Sequence, residues 1–229
     1  MGKLVIVRHG ESQWNLENRF TGWVDVDLTP KGTEEAIAAG LLLKKLGLEF
    51  HETYTSLLKR AIKTHFHVVS SMDRIWYSVT RTYRLNERHY GGLQGLNKKE
   101  TADKYGDEQV KIWRRSYDVL PPILSAESDM NPKFDLRYQG LGPDATPLAE
   151  SLATTIDRVM PLWNTDLAPR LKAGENLLIV AHGNSLRGLV KHIKKLSNDQ
   201  ILELNIPTGK PWLFEFDKDL NLKSDRYVE

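Results

Sequence analysis

The chain has 229 residues, 40% of them hydrophobic and 27% charged, with a formal net charge of +2 and a pI near 8.6. That is enough apolar residue to bury a core, and too even a charge balance for nucleic acid to be the main partner. No cysteine is present, which excludes disulfides, thiolate metal sites and cysteine nucleophiles. The longest apolar run, Ala36 to Leu43, falls far short of a membrane span, and the N-terminal run is too short for a secretory signal; a cytoplasmic setting without a membrane partner is expected.

Leu4-Val5-Ile6-Val7 has strand length and is expected as a buried strand ending at Arg8-His9-Gly10. Thr29-Pro30 is a helix start, with a capping hydroxyl and proline at the first helical position. Ala36, Ile37, Gly40, Leu41 and Leu43 would form one apolar face of that helix, and Gly47 would stop it. Glu52 to Thr55 reads as a second strand. Ser56 is then placed to cap a helix carrying Leu57, Ala61 and Val68, with Arg60 in its first turn. From Arg74 to Gly142 the pattern is rich in Arg, Tyr and Pro and is expected as loops and short helices laid over a sheet. Thr155 to Leu171 is expected to be helical, and Leu177 to Ala181 is the clearest strand. His182-Gly183-Asn184-Ser185 follows, leading into a helix to about Leu196 with Leu186, Leu189, Val190 and Ile193 inward; Trp212 to Phe216 is a late strand. This alternation, without linker or repeat, predicts one domain over residues 1–229. Its expected class is α/β, a three-layer sandwich with a mostly parallel central sheet flanked by helices.

In such sheets ligands gather at the carboxyl ends of strands, where both His9 and His182 fall. A neutral imidazole is a good phosphoryl acceptor near neutral pH. Arg8 adds a fixed fork for phosphate oxygens, and Gly10 permits close backbone approach. His182, if protonated, would stabilise charge on the transferring oxygens. Singly, each histidine reads as a loop residue in a structural hydrogen bond; two in the same topological place, one beside Arg and one before Gly-Asn, reverse that reading. Arg60 near a helix N-terminus is a further anion-binding group. Glu87, in Leu85-Asn86-Glu87-Arg88-His89-Tyr90, is the candidate general acid/base, against the plainer reading of a Glu87–Arg88 surface pair. Lys98, Arg114 and Arg115 would clamp a carboxylate or second phosphate, where the plain alternative is a solvated face. No metal is expected: His65 and His67 lie on different faces of one helix, and Asp25-Val26-Asp27 reads as a turn. A nucleoside triphosphate is not the expected donor, because no GxxxxGK[ST] loop occurs.

Several longer segments go together: Arg8-His9-Gly10-Glu11-Ser12 with Trp14-Asn15, Phe20-Thr21-Gly22-Trp23, Thr55-Ser56 leading to Arg60-Ala61, Leu85 to Gly91, Arg114-Arg115, Glu150-Ser151-Leu152, Ala181 to Arg187, and Asn205 to Gly209. With them the chain resembles, nearly end to end, the cofactor-dependent phosphoglycerate mutases of the histidine phosphatase superfamily. The resemblance implies interconversion of 3-phosphoglycerate and 2-phosphoglycerate, a step of glycolysis and gluconeogenesis, primed by 2,3-bisphosphoglycerate. It implies His9 as the phosphorylated nucleophile, Glu87 as proton donor and His182 as transition-state stabiliser. Arg8, Asn15, Arg60, Gly183 and Asn184 would hold the transferred phosphoryl group. Thr21, Gly22, Arg88, Tyr90, Lys98, Arg114 and Arg115 would hold the rest of the substrate, and Gly10, Glu11 and Ser12 count among the binding residues. Members are commonly homodimers or homotetramers. Relatives often carry a longer tail than the two residues that follow Tyr227, so a more open pocket and some phosphatase side activity are also expected. Two other readings use the same residues: a bisphosphoglycerate mutase or phosphatase, and a non-catalytic phospho-ligand binding module.

Overall fold

The computed structural model describes residues 2–142 and 145–229. At its centre is a sheet of six strands: β1 (Lys3–Arg8), β2 (Glu52–Thr55), β3 (Val79–Arg81), β4 (Leu177–Ala181), β5 (Trp212–Phe216) and β6 (Leu222–Tyr227), in the spatial order β3-β2-β4-β1-β5-β6. The first four run parallel; β5 is antiparallel to β1, and β6 to β5. The mostly parallel sheet is as expected. The edge strands β3 and β6 were not anticipated, because Val-Thr-Arg and Leu-Lys-Ser-Asp-Arg-Tyr carry no apolar run: an edge strand needs no fully buried face.

Helices α2 (Pro30–Leu46) and α3 (Lys59–Ser71) cover one face of the sheet, and α6 (Leu152–Leu162) and α8 (Gly183–Lys194) the other; α1 is the short turn Gln13–Leu16. Alternation along each strand divides the core between the two faces. Val5, Val7, Leu178 and Val180 meet Ala39, Leu43, Val68 and Val69, whereas Leu4, Ile6, Leu177 and Ile179 meet Val159, Leu162, Leu186 and Leu189. At roughly 1.5–3 kcal/mol for each fully buried large aliphatic side chain, these two layers supply the dominant stabilisation.

The Thr29 hydroxyl caps α2, accepting from Gly32 N at 3.0 Å, and Gly47 ends it in the left-handed region at φ 69°. The inward face of α2 differs from expectation, however. Gly32, Ala36, Ala39, Gly40 and Leu43 are buried, while Ile37 and Leu41 are 39% and 54% exposed. The cause is the closeness of α3: a Cβ on Gly40 would lie 2.4 Å from Val68 O, so small residues face the contact. Ser56 does not cap α3. Leu58 occupies the N-cap position without a side-chain bond, and Ser56 turns inward instead.

The expected helix at Thr155 to Leu171 runs from α6 through a π-helical turn (Trp163–Leu167) into α7 (Ala168–Lys172), which accommodates Pro161 and Pro169. In the middle of the chain lie α4 (Lys98–Tyr105), α5 (Asp107–Arg115) and short 3₁₀ turns. A satellite cluster of Phe20, Leu93 and Val110 with Tyr90, Ala102 and Trp113 docks α4 and α5 over the carboxyl end of the sheet. After β4 and α8 comes α9 (Asn198–Glu203). Near the C-terminus, Tyr227 stacks on Trp212 at 4.9 Å and Val228 N donates to Pro211 O at 2.9 Å. Among the described residues, no helix is long and apolar enough to cross a membrane.

Candidate active site

Strand register brings the two histidines together. Arg8 pairs with Ala181 across β1 and β4, and His9 N donates to Ala181 O at 2.9 Å. The next residue on each strand end is therefore a neighbour of the other, and the His9 and His182 rings lie 4.9 Å apart at 60°. His9 Nδ1 is 2.7 Å from Gly10 O. A carbonyl oxygen only accepts, so Nδ1 carries the proton and Nε2 keeps its lone pair. Burial, then Arg60 and Arg8, hold the His9 pKa well below the ordinary imidazole value. The ring is thus neutral and nucleophilic at physiological pH.

His182 is shifted the same way by burial, then by Arg60, His9 and Arg8. The imidazolium considered from sequence is therefore not what the protein environment favours; His182 offers a neutral N–H. Fully buried, it sits beside His9 behind the pocket wall, with Ser56 Oγ 2.7 Å from Nε2 and no partner on Nδ1.

The two inner arginines are fixed by backbone carbonyls. Arg8 donates from Nη1 to Ile206 O at 2.9 Å; Arg60 donates from Nη1 to Val24 O at 2.9 Å and from Nη2 to Gly22 O at 2.8 Å. Both Nε–H groups are buried without a partner. Arg60, only 1% exposed, is no solvated helix arginine; burial pushes its pKa down to about 10, which still leaves it charged. Leaving buried donors unpaired is costly, so they point to an anionic ligand rather than to stability.

Glu87 is buried and not part of a surface pair. Its Oε1 accepts from Arg88 N at 2.8 Å and Asn184 N at 3.1 Å, which fixes the carboxylate at the start of α8. Oε2 lies 3.7 Å from where a Cβ on Gly183 would be, an ordinary van der Waals separation that puts this carboxylate oxygen next to the Gly183 backbone. The loop behind is braced: Arg158 donates to Asn86 O and Glu87 O at 3.2 and 3.1 Å, and forms a buried ion pair with Glu150 at 2.6 Å. Trp23 Nε1 also donates to Glu87 O.

These groups open on a pocket of about 160 Å³. Of the sequence candidates, Arg8, His9, Asn15, Thr21, Gly22, Arg60, Glu87, Tyr90, Lys98, Arg114, Arg115, Gly183 and Asn184 line it. Lys98 begins α4, while Arg114 and Arg115 are exposed in the last turn of α5. Burial first, then Arg114 and Arg8, push the Lys98 pKa down to about 8. Seven lining side chains are cationic against one carboxylate, Glu87.

Gly10, Glu11, Ser12 and Arg88 do not line the pocket, contrary to expectation. Gly10 is pressed against α2, where a Cβ would come 2.0 Å from Gly32 O. Glu11 is drawn away by Thr29 Oγ1 and Lys31 Nζ at 3.0 and 3.1 Å, and Ser12 caps α1. Arg88 spends its guanidinium on Glu150 O and Trp113 O at 2.7 and 2.8 Å. Sequence reasoning missed Arg19, Phe20, Arg187, Leu204, Asn205 and Ile206 as wall residues. Arg187 was findable: it sits three residues after Asn184 on one helical face and donates to Asn184 Oδ1 at 3.0 Å. Among the described residues, no group of three or more His, Asp or Glu is arranged to hold a metal ion.

Residues 4–223 match the profile of the histidine phosphatase superfamily (branch 1). The chain belongs to that superfamily. It is also 56% identical over 222 residues to 2,3-bisphosphoglycerate-dependent phosphoglycerate mutase 2 of Lactiplantibacillus plantarum, covering 97% of this chain and 96% of that one. The resemblance to the cofactor-dependent mutases is thereby borne out. Among solved structures of this histidine phosphatase fold, a mycobacterial glucosyl-3-phosphoglycerate phosphatase complexed with VO3 superposes with a TM-score of 0.73 at 22% identity, covering 99% and 97% of the two chains. Bacillus stearothermophilus YhfR gives 0.70 at 23% identity over 95% and 92%. At such identities these two speak for the fold alone.

Proposed function

We propose that this chain is a 2,3-bisphosphoglycerate-dependent phosphoglycerate mutase, interconverting 3-phosphoglycerate and 2-phosphoglycerate through a phosphoryl group carried on His9. One observation carries the site assignment. The neutral, Nε2-nucleophilic His9 opens on the same pocket as the partnerless Nε–H groups of Arg8 and Arg60 and the backbone-anchored carboxylate of Glu87. The 56% identity to a mutase supports the choice of reaction.

Phosphoryl transfer asks the protein mainly for positioning and charge stabilisation. His9 Nε2 attacks phosphorus while Arg8 and Arg60 hold the oxygens. Glu87 gives a proton to the departing hydroxyl oxygen, and recovers it when that hydroxyl, or its neighbour on the adjacent carbon, attacks phosphohistidine. Lys98, Arg114 and Arg115 at the mouth hold the far end of the ligand, so a doubly phosphorylated molecule meets cations whichever end faces His9. The primer 2,3-bisphosphoglycerate fits this charge pattern, and its chemistry is to load His9 with phosphate. Cytoplasmic residence and a homodimer or homotetramer belong to the same proposal.

The test is isomerisation by EDTA-treated enzyme with and without 2,3-bisphosphoglycerate, alongside trapping of phosphoenzyme. Primer-dependent activity that survives EDTA, and an acid-labile label on the His9 peptide lost in His9→Ala, are expected. Loss of activity with EDTA and its return with Mn²⁺ would overturn the reading, as would normal labelling of His9→Ala. Phosphate release without isomerisation would assign a phosphatase instead.

A further inference from the structure

We propose that Arg187 is a positioning residue that sets the direction of a hydrogen-bond relay, from Arg187 to Asn184 to Tyr90, so that the Tyr90 hydroxyl is left to donate to the bound phosphoglycerate anion; this rests on the mutase reading above. Arg187 lies in α8, one helical turn beyond Asn184, and is buried. Its Nε donates to Ile201 O of α9 at 3.2 Å, and Nη2 donates to the same oxygen. With the guanidinium so anchored, Nη1 donates to Asn184 Oδ1 at 3.0 Å.

Each link has one possible sense. A guanidinium donates and never accepts, so the oxygen of the Asn184 amide, not its nitrogen, must face Arg187. The reversed amide would set N–H against N–H in a buried contact and leave both unpaired. The amide nitrogen is thereby directed to Tyr90 Oη, 3.3 Å away. An amide N–H only donates, so Tyr90 Oη accepts there and keeps its own proton to give. Among the described residues no acceptor takes that proton, and Tyr90 lines the same pocket as Asn184 and Arg187. Phe20, with its ring 5.3 Å from that of Tyr90, and Arg88, 5.1 Å over it, hold the phenol in place.

The chemistry of the ligand makes this direction matter. Ionised phosphate and carboxylate oxygens only accept, so a Tyr90 proton turned toward Asn184 would present lone pairs to an anion. The Asn184 backbone N–H is engaged separately, with Glu87 Oε1 at 3.1 Å, so the side-chain amide can turn without releasing Glu87. The plain alternative makes Arg187 one more cation in a basic wall. The two roles differ in coupling: a charge acts on the anion whether or not Tyr90 has its hydroxyl, whereas the relay acts only through it.

The test is a double-mutant cycle in the full chain, read as the Kd of 3-phosphoglycerate by titration calorimetry. Tyr90→Phe should weaken binding about tenfold to a hundredfold, as expected for a hydrogen bond to a charged group. Arg187→Met should weaken it at least as much, and in that background Tyr90→Phe should cost less than about twofold more. Arg187→Lys, also a pure donor, should restore most of the Tyr90→Phe effect. Losses that simply multiply in the double variant overturn the proposal. Neutron diffraction from the wild type with vanadate bound decides the matter even if Arg187→Met fails to fold. The Asn184 amide deuterons should face Tyr90, and the Tyr90 deuteron should face the vanadate; a Tyr90 deuteron directed at Asn184 overturns the relay. Phosphoenzyme trapping on the same wild type keeps the two ideas apart: label on His9 with independent Arg187 and Tyr90 effects sinks only the relay, and absence of label sinks the functional reading.

Discussion

Acidification should unfold this protein earlier than its carboxylates alone would, because four histidines are folded in neutral form. Burial lowers His65 to about 4 and His89 to about 3, and holds His9 and His182 well below the ordinary value of 6.5. Below pH 6.5 the unfolded chain binds protons that the native protein refuses, so unfolding takes up protons and stability falls as pH falls. Each fully coupled histidine contributes a slope of about 1.36 kcal/mol per pH unit. The shift to about 4 for His65 corresponds to about 3 kcal/mol in all, and the shift to about 3 for His89 to about 5 kcal/mol. At pH 5 His65 and His89 have each lost about 2 kcal/mol, about 4 together, and His9 and His182 act in the same direction, against a typical domain stability of about 5–15 kcal/mol. Urea midpoints should therefore be nearly flat from pH 8 to 7 and fall steadily below 6.5. His65→Gln, which can still bond Thr53 Oγ1, should reduce proton uptake on unfolding by about one. Acid loss of activity should track this unfolding, since a neutral His9 is already in its nucleophilic form. A midpoint that stays level down to pH 5, or a His65→Gln slope identical to wild type, would refute the reasoning.

Glu87→Gln should keep its Oε1 contacts to Arg88 N and Asn184 N and its ligand affinity, yet lose on the order of 10²–10⁴ in phosphoryl transfer, read by rapid-quench phosphoenzyme kinetics; a loss of a fewfold would make Glu87 a binding residue only. Lys98 is charged below and neutral above its pKa of about 8, so the KM for phosphoglycerate should rise above pH 8 and that rise should vanish in Lys98→Met; a pH effect on kcat alone would count against this. Arg137 pairs with Asp25 at 2.8 Å and donates to Leu57 O at 3.1 Å, tying the Gly22–Asp25 loop that holds Arg60 to the start of α3. Arg137→Gln should weaken vanadate binding and kcat/KM together by about tenfold or more, as small misplacements of positioning groups do, with the folding midpoint little changed; unaltered vanadate affinity would remove Arg137 from this role.

What the sequence made legible follows burial. β1 and β4, enclosed on both faces, are runs of Val, Leu and Ile that announce themselves. Thr29-Pro30 and Gly47 marked the ends of α2 because caps are local chemistry. The inward face of α2 was misread because its residues answer to the closeness of another helix, and proximity leaves no periodic trace. Ser56 was misread for a related reason: a serine after a strand has the same local signature whether it caps a helix or turns to a histidine 126 residues away.

The site shows the same division more sharply. His9, His182, Arg60 and Glu87 were readable because each follows or opens an element, where the backbone can present a side chain. Arg88 illustrates the limit. It stands between Glu87 and Tyr90 in the densest functional segment, yet it bonds Glu150 O and Trp113 O and faces away from the pocket. Sequence adjacency cannot separate an arginine that binds substrate from one that braces the loop, since both need the same planar, always-charged donor set. Unused capacity separates them. Arg8 and Arg60 keep a buried N–H with no partner, whereas every Arg88 donor group is either bonded or free of that burial. An arginine that leaves a buried donor idle is paying in stability for a ligand; among the described arginines the criterion picks out Arg8, Arg19 and Arg60, and the Glu17 carboxylate 2.7 Å from Arg19 Nε sets that one apart from the two inner arginines.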